Sequence, residues 1–161
     1  MADIYELTLA LDLDELSEEE LAELRWHLGL GPRPETLRIV TEFPNAYHDD
    51  DGHLVIEDEP RPLLAGHGEA FKIDGALVSV LLRRERTTWF GVWALTSRQE
   101  IHPDDFDLTG RLLGWLATKA GDSRRNTVGG ADIVDLGSIR FYESRRPVPL
   151  VVRDGVVIWR P

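Results

Sequence analysis

Apolar and polar residues first alternate along this chain. In YELTLALDL, Tyr5, Leu7, Leu9, Leu11 and Leu13 fall on one side, and Glu6, Thr8, Ala10 and Asp12 on the other. A period of two predicts a strand with one buried face. The period then lengthens. Leu21, Leu24 and Leu28 lie along one helical stripe. Ser17 and Glu20 have the spacing of a capping box, and Leu16 can meet Leu21 as a hydrophobic staple. Glu18, Glu19 and Glu20 occupy the first turn, where the helix dipole favours negative charge. Gly29 ends this helix, and Pro32 and Pro34 keep it from restarting.

Further strands are expected at TLRIVTEF (36–43), on either side of Asp74-Gly75, at 88–101, and at 133–144 with an interruption at Gly137. The Asp74-Gly75 pair suits a two-residue type I′ turn. LVSVLL (77–82) is apolar on both sides, which predicts a central strand covered on both faces. Residues 58–68 and 121–131 read as loops. A second helix begins near Pro103 and ends at Gly121, with Phe106, Thr109, Leu113, Leu116 and Ala120 inward. A hairpin around Asp154-Gly155 follows. This order predicts a single α+β domain over 1–161, an antiparallel sheet with two helices on one face. In element order alone it resembles a ferredoxin-like sandwich, with extra β-hairpins around 51–52 and 154–155.

Chemistry is sparse. In HDDDGH (48–53), a two-residue loop at Asp51-Gly52 would bring His48, Asp50 and His53 to one face and turn Asp49 to the other. Two imidazoles and a carboxylate are a ligand set for a divalent transition metal. The plainer reading is a charged turn, because Asp-Gly recurs at 74–75 and 154–155. A second constellation is Arg98, Glu100 and His102: Arg98 would position an organic anion, with His102 or Glu100 as base. Against it, Arg98 and Glu100 also read as strand-end charges and His102 as a helix cap. Trp89 and Trp93 share a strand face with Leu95 and are candidates for a pocket lining or a subunit interface, with core packing as the plainer reading. Trp26 and Trp115 fall off the helical stripes, which predicts partial exposure or contact with a partner.

Composition narrows the field. The 161 residues contain no cysteine, which excludes disulfides, thiolate nucleophiles and Cys-ligated metals. The N-terminus lacks the pattern of a signal peptide, and no apolar run approaches the ~20 residues of a membrane span, so a cytoplasmic protein without membrane contact is expected. The net charge is −11; residues 1–60 hold 17 acidic and 3 basic residues, a balance of −14. Such a chain repels nucleic acid. No phosphate loop, nucleophile elbow or zinc-protease motif occurs. The leading expectation is a non-catalytic binding or assembly domain that needs no cofactor and self-associates through its sheet face. The alternatives are a small enzyme acting on an organic anion, and an acidic immunity- or inhibitor-type protein that binds a basic partner.

Overall fold

A computed structural model describes residues 3–85 and 92–159, with Asn45 through its backbone alone. Strand β1 (Tyr5–Leu13) and helix α1 (Glu18–His27) form where the hydrophobic pattern places them. The capping box is complete: Ser17 Oγ accepts the Glu20 N–H at 3.1 Å, and Glu20 Oε1 accepts the Ser17 N–H at 2.9 Å. The later strands are β2 (Asn45–His48), β3 (Leu54–Glu57), β4 (Gly68–Glu69), β5 (Ala76–Arg83), β6 (Trp93–Ile101), β7 (Arg125–Val128), β8 (Ala131–Phe141), β9 (Val148–Arg153) and β10 (Val156–Ile158). Helix α2 spans Phe106–Lys119 and follows a short 3₁₀ turn at Pro103–Asp105.

The main sheet runs β10-β9-β8-β1-β6-β5-β4, with β7 on β8, and each of its pairings is antiparallel. The first strand of the chain is therefore central. The fold is α+β, with more strands than a ferredoxin-like core; the likeness goes no further than the layering of helices on an antiparallel sheet. β2 and β3 form a separate two-stranded sheet.

One face of the main sheet carries the core. The β1 residues Leu7, Leu9, Leu11 and Leu13 lie opposite Gln99, Ser97, Leu95 and Trp93 of β6, and all eight are buried. Leu24 and Leu28 from α1 and Leu112, Leu113 and Leu116 from α2 close the same cluster. The other face is open. Its cross-strand rows are Val78–Arg98–Thr8, Val80–Thr96–Ala10 and Leu82–Ala94–Asp12. Val78, Val80 and Leu82 are 41%, 40% and 60% exposed. The double-sided cover expected for LVSVLL is thus half supplied: Ser79 and Leu81 are buried, and their alternates face outward.

Segment 36–43 is not a strand. The Glu23 carboxylate accepts the N–H groups of Arg38, Ile39 (2.9 Å) and Val40 (3.0 Å), donors that a sheet would otherwise have used. The stretch read as a loop at 121–131 contains β7, which the Gly129-Gly130 turn folds onto β8. The Asp74-Gly75 pair does not make a two-residue turn, since Glu69 pairs with Ala76 and the intervening loop is held from outside. Asp154-Gly155 does make one: both residues have positive φ, 47° and 81°, and Arg153 faces Val156.

Candidate functional site

Arg98, Glu100 and His102 recur at every second position from β6 into the start of the second helical region. Each is engaged with backbone. Arg98 donates through Nη1 to the Ala76 carbonyl at 3.0 Å and through Nη2 to Glu6 Oε2, while Glu6 Oε1 accepts Arg140 Nε–H at 3.3 Å. This ion row crosses β6, β1 and β8 on the open face. Glu100 accepts the N–H groups of Phe71 and Lys72 at 2.6 Å and of Ile73 at 3.4 Å, so it fixes the loop before β5. His102 Nδ1 accepts the Asp104 N–H at 3.1 Å as the cap of the 3₁₀ turn. A hollow of about 350 Å³ beside His102 is lined also by Pro44, Arg61, Asp105, Asp107 and Arg111; neither Arg98 nor Glu100 lines it. Glu100→Ala should leave the fold intact and release this loop: amide exchange at Phe71 and Lys72 should quicken by about tenfold, the worth of a charge-assisted hydrogen bond, as hydrogen-exchange NMR can read.

The β2–β3 hairpin is one residue out of the expected register. His48 faces Leu54, not Val55, and the Asp49 N–H donates to the His53 carbonyl at 2.9 Å around a loop of Asp50, Asp51 and Gly52 (φ 81°). This is the three-residue hairpin loop with glycine in the left-handed region. A one-residue slip reverses which side chains share a face. His48 therefore parts from His53, and the residues brought together are Asp49, Asp51 and His53, whose ligand atoms lie within 4.8 Å of one another. Asp49 Oδ1 already accepts the N–H groups of Asp51 (3.0 Å) and His53 (2.8 Å), which makes it the brace of the loop.

Trp93 is 5% exposed, on the helix-covered face, with the guanidinium groups of Arg25 and Arg83 at 5.9 and 5.3 Å from its ring. Trp89 lies outside the described residues. Trp26 is buried rather than partly exposed, packed edge-on to Phe43. Trp115 is partly buried, as its position off the stripe predicts. Trp93 is thus not on the open face, where Val78, Val80 and Leu82 are the exposed apolar residues of β5.

No family model, curated protein or solved structure matches the chain.

One pair of residues stood outside the hydrophobic pattern of the sequence. Glu23 and His27 are both fully buried, and His27 Nε2 lies 3.2 Å from Glu23 Oε2. Glu23 accepts on both oxygens, so His27 Nε2 is the donor between them; among the described residues Nδ1 has no hydrogen-bond partner. Burial lowers the pKa of His27 below its usual value, a shift that the bond to Glu23 opposes. The signal was there: Glu23 and His27 are spaced i, i+4 beside the Leu24–Leu28 stripe. The aliphatic row of β5, by contrast, reads in the sequence as apolar on both sides, and the fold leaves its outer residues Val78, Val80 and Leu82 exposed.

Proposed function

We propose that this chain is a non-catalytic assembly domain that pairs with a second copy through the open face of its sheet. The observation that carries this reading is the row Val78, Val80 and Leu82 on β5, continued by Ala94 and Ala10, with no other element of the described chain across it. Contiguous exposed apolar surface of this kind marks interaction sites.

Charge argues for a second copy as the occupant. The chain carries −11 overall, so two copies repel over most of their surfaces. The open face is an exception: Glu6, Asp12 and Glu100 are matched in number by Arg84, Arg98 and Arg140, with Arg84 bonded to Asp12 and Arg98 and Arg140 to Glu6. A neutral, aliphatic face meets itself about a two-fold axis without like-charge cost. The engagement of Arg98, Glu100 and His102 with backbone favours this reading over the enzyme acting on an organic anion. The lack of cysteine suits a reducing compartment such as the cytoplasm.

Sedimentation velocity over a concentration series tests the proposal. Wild type should run as a dimer. Val80→Asp should weaken the dimer by about a hundredfold or more, because a carboxylate would be desolvated in the contact. Its circular dichroism should be unchanged, since the position is solvent-facing in the protomer. A wild-type protein that stays monomeric at all concentrations would refute the reading, as would a Val80→Asp dimer of undiminished strength.

A further inference from the structure

We infer that the β2–β3 hairpin is a docking arm for an extended segment of a basic protein, one that alternates cationic and apolar side chains. Among the described residues, the hairpin pairs with no strand of the main sheet. Its register places Ala46, His48, Leu54 and Ile56 on one face, and all four are exposed. Leu54 and Ile56 are 61% and 69% exposed, whereas Val55, on the opposite face, is partly covered. The chain therefore turns its larger aliphatic pair away from its own body. That pair contributes little to folding, and a two-stranded ribbon left to itself is marginal in water.

Charge decides what covers this face. Between Ala46 and Glu59 the chain carries Asp49, Asp50, Asp51, Glu57, Asp58 and Glu59, and no lysine or arginine. A second copy, itself −11 and bearing the same arm, is repelled here, as are nucleic acids and anionic bilayers. A cationic protein segment is attracted. Among the described residues, β2 and β3 pair only with each other, so each keeps an outer edge with free main-chain donors and acceptors. A segment added beside β3 as a further strand would set its apolar residues against Leu54 and Ile56 and its cations towards Glu57 and the acidic loop. This inference uses a different surface from the sheet-face dimer and does not depend on it.

The test is fluorescence anisotropy with labelled synthetic peptides of alternating valine and lysine, alternating serine and lysine, and alternating valine and glutamate. The valine–lysine peptide should bind, and more weakly as salt rises. Its affinity should fall by about tenfold in Leu54→Ser/Ile56→Ser, and by about tenfold in Asp50→Asn/Asp51→Asn/Asp58→Asn, which spares the Asp49 brace. The serine–lysine peptide should bind about tenfold less tightly, and the valine–glutamate peptide not at all. Both variants should keep the wild-type circular dichroism and sedimentation. Failure of the valine–lysine peptide to bind, equal binding to wild type and both variants, or binding indifferent to peptide charge would each overturn the inference. A change in the sedimentation of either variant would place the arm in a self-contact and overturn it too.

Discussion

Gly137→Val is expected to abolish the native sheet, and Gly137→Ala to destabilise it by about 4 kcal/mol or more, the range reached when main-chain atoms collide in a core. Gly137 sits in β8 with φ 144°, a conformation that side chains rarely adopt. A Cβ there would overlap the Thr8 carbonyl oxygen and lie 3.0 Å from the Thr8 carbonyl carbon and 3.2 Å from Leu9 Cα. These are backbone atoms of β1, held by β6 on the far side, so they cannot swing aside. The cause is a bulge: the β8–β9 register shifts between Asp135 and Gly137, and Asp135 Oδ1 accepts the Gly137 N–H at 3.0 Å. Asp135→Ala removes that brace without a collision and should cost only about 1 kcal/mol. Urea unfolding of the two variants separates the effects. A Gly137→Ala protein within 1 kcal/mol of wild type would show that β8 can flatten its bulge and slide, and that the tight approach is not what fixes the register.

The interrupted strand at Gly137 illustrates what this chain discloses in sequence. β1, α1 and α2 were legible because each is written in a local period and local caps: Leu7 to Leu13 at every second residue, Ser17 with Glu20, Pro103 at the head of its 3₁₀ turn. Segment 36–43 was misread because its backbone donors are claimed by Glu23, 15 to 17 residues away, and no window of TLRIVTEF contains that carboxylate. β7 is short and polar, RNTV, and owes its existence to its pairing with β8. The three Asp-Gly pairs show the limit of turn chemistry. In each the glycine takes positive φ, but only at 154–155 does the aspartate as well, so the dipeptide specifies a reversal and leaves the loop length open. That single residue of loop length changed which ligand atoms come together, with Asp49 and Asp51 rather than His48 and Asp50 beside His53. The open face was half legible. Apolar residues on both sides of β5 predicted cover on both faces, but the sequence around β5 does not show that the chain itself covers only one of them and leaves Val78, Val80 and Leu82 exposed.

The second large effect is expected at Glu23. Its carboxylate is fully buried and accepts four bonds: Oε1 from Arg38 and Ile39 N–H, and Oε2 from Val40 N–H and His27 Nε2–H. Glu23→Gln preserves the shape but replaces one acceptor oxygen with an amide donor. At least one buried N–H is then left without a partner, at a cost of about 2–4 kcal/mol. The loss should concentrate where the carboxylate acts. Amide exchange at residues 38–40 should accelerate beyond the global change, because Val40 and Phe43, 1% and 2% exposed, are held inside by this segment. His27 adds a pH dependence with a definite sign. Its pKa in the fold is depressed, chiefly by burial, below the 6.5 of the free side chain. As pH falls through that value the unfolded chain takes up a proton that the folded chain refuses, so stability is full above about 6.5 and declines as the solution is acidified. His27→Gln keeps a donor towards Glu23 but does not titrate. Its stability should therefore vary less steeply than wild type just below pH 6.5, as urea unfolding at stepped pH can measure. Equal slopes in the two proteins would mean that His27 takes up its proton alike in the folded and the unfolded chain, and that burial does not depress it.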